Sequence, residues 1–294
     1  MCFLSIIVKA PAKINLYLDV VGKGENGYHS VEMIMQTVSL YDVVKVEKNK
    51  ISKINIFSNY NFSKNITKNT AYKAAVEFFK YTNTVGQGVN IQIKKRIPVC
   101  AGLAGGSSDA AATLVALNSL LDTRLSKGEL SQIGGKIGAD VPFCIYGGTM
   151  ISTGIGTELS PINKMPFCHV VLCKPNIYVS TKRAYSLSDN FKIRTKSIKP
   201  IVYAINRKSL DLIGNSLYNH FEYVLSSNEV YNIKCTMIQN GAIASCMSGS
   251  GPTVFGLFKE KKLAENCVNK LSKTYKSTFL CNPIYSGAFI IDKK

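Results

Sequence analysis

Tryptophan is absent from this chain of 294 residues, and arginine is scarce. The 36 basic residues include only five arginines, Arg96, Arg124, Arg183, Arg194 and Arg207. Arginine reads guanine edges and clamps phosphates with two parallel bonds, so its scarcity argues against a base-reading nucleic-acid protein despite a net charge of +18. The lysines are spread along the whole chain, as on a solvated surface whose field attracts small anionic substrates. No C-x-x-C pair occurs among the nine cysteines, which excludes zinc-ribbon and thioredoxin-like sites. Cys168-His169 with Cys173 comes nearest to a ligand cluster, but it lies in an apolar run that reads as a buried strand. Free cysteines used as small hydrophobes fit a reducing cytoplasm. A long apolar run is also missing: the longest uncharged stretch, residues 235–258, contains Gln239, Asn240, four glycines and Pro252. It cannot span a membrane. The apolar start of the chain has no basic flank and no A-x-A site, and alternates into Lys9 like a first strand rather than a signal peptide. The expectation is a soluble, cytoplasmic protein with no nucleic-acid or membrane partner.

What is present is a globular chain, 46% hydrophobic and 18% charged, long enough for two domains. Residues 13–21, 31–38, 43–47, 54–57 and 89–93 carry alternating or β-branched apolar residues and read as strands. A helix is expected over 70–81, with Tyr72, Val76 and Phe79 on its inner face. Ser107-Ser108-Asp109 reads as the N-cap of a helix over 110–121, with Leu114, Leu117 and Leu121 inward. Ser126-Lys127-Gly128-Glu129 is a capping box for another. Further on come a strand at 167–172, several helices, a strand–loop–strand over 242–258, a helix over 261–275 and a last strand ending at Ile291. Strands and helices mix without strict alternation, which points to an α+β chain with a boundary near 160–166.

Three glycine-rich segments follow strands. Gly22-Lys23-Gly24-Glu25-Asn26-Gly27 has the G-x-G-x-x-G form, with Asp42 downstream, but no helix opens inside it, so a dinucleotide site is disfavoured. The second segment, Pro98-Val99-Cys100-Ala101-Gly102-Leu103-Ala104-Gly105-Gly106-Ser107-Ser108, is almost wholly small and opens a helix. Its close backbone approach and helix N-terminus suit a polyphosphate, although no Walker loop occurs anywhere in the chain. Ser107 and Ser108 could hydrogen-bond a phosphate or ligate Mg²⁺ there, with Ser108 the named Mg²⁺ candidate. The third, Ser248-Gly249-Ser250-Gly251 before Pro252, is either a hairpin turn or part of a site. Lys13, in a strand poor in charge, and Asp140, between a helix end and an apolar segment, are each either an ordinary surface or turn residue or a catalytic one.

Together these segments resemble the GHMP kinase superfamily. The second and third glycine segments resemble its phosphate loop and its C-terminal glycine motif. Pro11-Ala12-Lys13-Ile14-Asn15-Leu16, Gly27-Tyr28-His29 and Gly138-Ala139-Asp140-Val141-Pro142 resemble the branch that acts on 4-diphosphocytidyl-2-C-methyl-D-erythritol. The resemblance implies an α+β, two-domain GHMP kinase fold. Residues 1–160 would form a ribosomal protein S5 domain 2-like half holding the ATP loop, the catalytic residues and a cytidine pocket. Residues 161–294 would form a ferredoxin-like half. It also implies ATP as co-substrate with Mg²⁺, and transfer of the γ-phosphoryl to the 2-hydroxyl of that cytidine diphosphate-bearing substrate, a step of non-mevalonate isoprenoid biosynthesis. Asp140 would be the general base and Lys13 would orient it. Asn15, Tyr28, His29 and Tyr185 would contact the substrate. The nearest alternatives are a homoserine or mevalonate kinase, neither of whose substrates has a base to stack, and a basic nucleic-acid-binding module.

Overall fold

The computed structural model describes residues 4–24, 27–61, 65–191 and 195–294. Residues 1–3 of the expected first strand and 25–26 of the first glycine segment lie outside the described residues.

Two long antiparallel strands, β1 (Ser5–Lys23) and β2 (His29–Lys48), form the spine of the molecule. They are followed by β3 (Ile54–Ser58), α1 (Thr70–Tyr81), β4 (Val89–Lys94), α2 (Gly105–Leu120), α3 (Lys127–Gly135), α4 (Val141–Tyr146), β5 (Thr149–Thr153) and β6 (Glu158–Pro161). Next come β7 (His169–Lys174), α5 (Thr181–Ser188), α6 (Lys199–Asn206), α7 (Leu210–Asn215), β8 (Tyr218–Asn219) and α8 (His220–Leu225). The chain closes with α9 (Asn228–Gln239), β9 (Ala244–Met247), β10 (Val254–Phe258), α10 (Lys261–Leu271), β11 (Ser277–Cys281) and β12 (Phe289–Lys293). The first sheet runs β12–β1–β2–β4–β3, with β5 and β6 extending from β2 and β8 pairing with β1. The second runs β11–β7–β10–β9 and is antiparallel. The last strand, β12, therefore returns to the first sheet. Among the described residues no helix is long and apolar enough to cross a membrane.

The placement of Lys13 follows from irregularities in β1. Its register against β2 shifts at Pro11/Ala12 and again at Asn15/Tyr17. Proline cannot donate to a ladder and sits readily at such a shift. At Pro11/Ala12 the β2 partner jumps from Tyr41 to Val38, an irregularity that bends and twists the pair and re-aims the side chains that follow. Val8 and Ala10 accordingly pack with the helical layer of α1 and α2, while Ala12, Ile14 and Leu16 pack with the second core under the C-terminal sheet. Lys13 and Asn15 are thereby left on the opposite side from Ile14, buried yet polar.

Several expectations need correction. Residues 31–38 and 43–47 belong to one strand, β2, which runs through an irregularity in its pairing with β1 at Ser39 and Leu40. Helix α1 has the expected bounds, but its buried face is Ala71, Ala74, Ala75, Phe78 and Phe79, with Tyr72 and Val76 on its flanks. Helix α2 starts at Gly105, so Ser107, Ser108 and Asp109 lie in its first turns; the N-cap is Ala104, left-handed and without a side-chain cap. Leu121 lies beyond its end as the C-cap, only partly buried. Helix α10 ends at Leu271 rather than near Tyr275. The capping box of Ser126 and Glu129 is present on α3. Cys168 and Cys173 are buried core side chains, and His169 stacks edge-on against Phe167.

Candidate active site

A cleft of about 900 Å³ is bounded by the second glycine segment, the third glycine segment, the start of α4 and helix α5. Three left-handed residues shape one side of it: Cys100, Gly102 and Ala104 have φ of 51°, 73° and 55°, while their neighbours Ala101 and Leu103 do not. Backbone of alternating handedness gathers successive N–H groups into a concavity for an anion. Two of the three residues carry a Cβ, so the conformation costs strain, as at many ligand loops. The uncapped start of α2 adds first-turn N–H groups and the positive end of its dipole. At Gly102 only glycine fits: a Cβ there would lie 2.1 Å from the carbonyl oxygen of Ser248. The two glycine loops thus touch backbone to backbone.

The ring of expected loop residues is not uniform. Pro98, Val99, Cys100, Ala101, Gly102 and Ala104 line the cleft, as do Gly105, Gly106 and Ser107. Leu103 instead points into the second core, and its carbonyl accepts the Lys13 backbone N–H at 3.1 Å. Ser108 is fully buried and donates to the Pro11 carbonyl at 2.7 Å, so the hydroxyl weighed as a Mg²⁺ ligand faces away from the cleft. Ser107 is the serine that lines it.

Lys13 and Asp140 meet. The Lys13 Nζ lies 3.7 Å from Asp140 Oδ2, with the lysine side chain 5% and the aspartate 30% exposed. Lys13 also donates to Asn15 Oδ1 at 2.6 Å. The Asn15 N–H in turn reaches Ser248 Oγ at 3.2 Å, and that hydroxyl donates to the Gly102 carbonyl at 3.0 Å. Asn15 and Ser248 are both fully buried, so they hold Lys13 and the two loops in register rather than facing the cleft. Asp140 is the N-cap residue of α4 and makes no side-chain cap bond, which leaves its carboxylate to the cleft.

The other end of the cleft is aromatic. Tyr28 stands at its rim, 64% exposed. The His29 ring packs on Tyr185 with centroids 4.9 Å apart, and Tyr185 meets Phe221 edge-on at 4.9 Å. Burial first, and then the Asp140 carboxylate, push the Tyr185 phenol up to about 12, so it keeps its proton. His29 Nε2 lies 2.6 Å from Asp189 Oδ1, and Lys23 Nζ 2.7 Å from Asp189 Oδ2. The Lys23 bond, then that of His29, holds the Asp189 carboxyl below the usual range. Ser250 and Thr181 hydroxyls are 2.9 Å apart and tie the third glycine segment to α5.

Several lining residues escaped the sequence reading. Lys95 bridges the buried carboxylates of Asp42 and Asp109 behind the second glycine segment. Asp42 also accepts the Ile97 N–H at 2.8 Å, so it braces the loop instead of meeting a ribose. Burial pushes the Asp109 carboxyl up against the opposing pull of Lys95, and the two carboxylates raise Lys95 despite its own burial. Lys95 sits in the run Lys94-Lys95-Arg96, where nothing local marks it. Lys23, Asp189, Thr181 and Tyr178 also line the cleft, and none carried a signal beyond being polar or aromatic at or near the end of an element. Asn219 did carry one, as an N-cap before a helix. Its amide donates to the carbonyls of Met247 and Gly249 at 2.7 and 2.9 Å and so fixes the third glycine segment.

Family models of the GHMP kinases N terminal domain and the GHMP kinases C terminal match residues 69–148 and 201–277. The chain is 43% identical to a 4-diphosphocytidyl-2-C-methyl-D-erythritol kinase of Clostridioides difficile (strain 630), with 97% of each chain covered. It is 44% identical to one of Clostridium perfringens (strain 13 / Type A), covering 92% of this chain and 94% of that one. Among solved structures, a 4-(cytidine 5'-diphospho)-2C-methyl-D-erythritol kinase superposes with a TM-score of 0.79 at 28% identity, covering 95% of this chain and 99% of the other. A homoserine kinase from Cytophaga hutchinsonii shares the fold, with a TM-score of 0.74 at 20% identity over 98% of this chain and 97% of that one.

Proposed function

Since the chain belongs to the GHMP kinases and, within them, to the 4-diphosphocytidyl-2-C-methyl-D-erythritol kinases, we propose how its residues divide the work of that reaction. The protein is an ATP-dependent small-molecule kinase that phosphorylates the 2-hydroxyl of 4-diphosphocytidyl-2-C-methyl-D-erythritol, in isoprenoid precursor biosynthesis. Asp140 takes the proton of the tertiary hydroxyl. The oxygen attacks the γ-phosphorus, the bond to the β-phosphate oxygen breaks, and ADP leaves. A tertiary alcohol is a poor nucleophile, so a carboxylate in hydrogen-bond reach is the effective help. Lys13 orients Asp140 and offsets charge on the transferring group. The left-handed loop and the start of α2 hold the phosphates. The single observation that carries this reading is the Lys13–Asp140 pair, 3.7 Å apart, in the cleft that both glycine segments and the aromatic wall line.

Magnesium held by nucleotide phosphates needs only one or two protein oxygens, and among the described residues no cluster of three acidic, histidine or cysteine ligands exists to hold it otherwise. The cleft-facing Ser107 hydroxyl fits that modest role. When bound, the ion neutralises charge on the phosphates.

Tyr28 and Tyr185 supply aromatic faces for the cytosine. Asp189 accepts from His29 Nε2, which leaves the Nδ1 edge as an acceptor for the base's amino group. Tyr28→Ala is expected to raise KM for the cytidyl substrate by about 5- to 150-fold, the worth of one stacked base, with ATP little affected. Steady-state KM for both substrates, read with the thermal midpoint, checks it. Equal impairment for both with a lowered midpoint would remove Tyr28 from the site.

The two halves are assigned to 1–160 and 161–294, with β12 crossing back. The eight described cysteines are free, which supports a reducing, cytoplasmic setting.

A further inference from the structure

Behind the aromatic wall lies a buried polar chain that the reaction does not use. His220 Nδ1 is 3.1 Å from Asp19 Oδ1, and His220 Nε2 is 2.6 Å from Ser188 Oγ. All three residues are buried, at 0%, 3% and 7% for Asp19, His220 and Ser188. A carboxylate only accepts, so Nδ1 carries the proton and Nε2 accepts from the serine hydroxyl. The connectivity is that of a nucleophilic triad. Yet Ser188 is buried and does not line the cleft, so no substrate meets its hydroxyl.

The chain has an anchored end and a weak one. Asp19 is fixed in β1, where it also accepts the backbone N–H groups of Val20 and Lys196 at 2.9 and 2.8 Å. β8 pairs parallel to β1 with Leu18 opposite Asn219, which brings the next residue, His220, beside Asp19. The weak end is α5. It has eight residues, of which only Ala184 and Ser188 are buried. So short a helix is not stable by itself; partly buried Tyr185 packs on Phe221 and Thr181 is tied to Ser250. The hydrogen bond at Ser188 adds the buried polar tie at its C-terminal end. Both partners of the His29 ring come from this region: Tyr185 lies on α5 and Asp189 follows it directly.

We propose that Asp19, His220 and Ser188 form a positioning relay that fixes α5 and, through Tyr185 and Asp189, sets the His29 ring for the base; the proposal rests on the reading of that wall as the cytosine pocket. None of the three is a catalytic residue.

The test is steady-state kinetics of the full chain with both substrates varied. Ser188→Ala is expected to raise KM for the cytidyl substrate about five- to tenfold, as for one buried hydrogen bond, with kcat and the ATP KM within about twofold. His220→Asn, which reaches only Asp19, should do the same. His220→Gln, whose amide reaches the Nε2 position and so keeps the Ser188 bond while losing the one to Asp19, should bring KM part of the way back, to between the parent and His220→Asn values. Rescue by glutamine but not asparagine is an effect that loss of general stability does not produce. An unchanged cytidyl KM in Ser188→Ala, parallel rises in both KM values, or a glutamine variant no better than asparagine would overturn the relay. If the His220 variants fail to fold, Ser188→Ala decides alone. Tyr28→Ala is the control: no effect there means the base pocket itself is misread, whereas an effect there without one in Ser188→Ala defeats only the relay.

Discussion

Asp140→Asn is expected to fold normally and to lower kcat by about 10²- to 10⁴-fold, the usual worth of a general base. The amide matches the carboxylate in size but cannot accept the hydroxyl proton. Little stability is at stake, because Asp140 makes no side-chain cap bond to α4 and its side chain is 30% exposed. Single-turnover phosphoryl transfer, measured with the thermal midpoint, reads both effects. Near-parental turnover in a folded variant would remove Asp140 from the chemistry.

Lys13→Met is the second large effect. Methionine keeps the length of the stem, so the buried strand position stays filled. The ammonium is lost from between Asn15 Oδ1 and Asp140. A preorganised charge next to the transferring group is worth about 10²- to 10³-fold in kcat, and that is the loss expected. The ATP KM should change by less than about threefold, because loop backbone and the α2 N-terminus supply most of the phosphate binding. A loss expressed only in the ATP KM would make Lys13 a nucleotide ligand instead of the partner of Asp140.

Much of this site was legible as sequence because its parts are local. A strand followed by small residues and a helix announces an anion loop, and the period-two alternation of residues 89–93 announces the strand before it, β4. The bounds of α1 were readable from periodicity, but its inner face was not. Large side chains dominate a periodicity reading, whereas the helix packs closely through Ala71, Ala74 and Ala75. The start of α2 was misread because glycine is a poor helix former; left-handed Ala104 nonetheless turns the chain so that Gly105 and Gly106 enter the helix. Tertiary polar contacts left no trace. Asp42 on β2, Lys95 just past β4 and Asp109 on α2 meet only in the fold, and nothing in their own segments pairs them. The Asp19–His220–Ser188 chain joins three separate elements, with a register set only once β8 pairs with β1. Asn15 and Ser248 were found by motif, yet their inward orientation depends on the β1 register shifts and on the contact at Gly102.

The central claim is that one cleft joins a Lys13–Asp140 phosphoryl-transfer pair to an aromatic wall that selects a cytidine diphosphate substrate. The most direct measurement is a coupled ADP-release assay on the purified chain with ATP and Mg²⁺, offering 4-diphosphocytidyl-2-C-methyl-D-erythritol, homoserine and mevalonate in parallel. Stoichiometric ADP release with the cytidyl substrate, and none above background with the other two, is the result predicted. Turnover of homoserine or mevalonate at a comparable kcat/KM would contradict it.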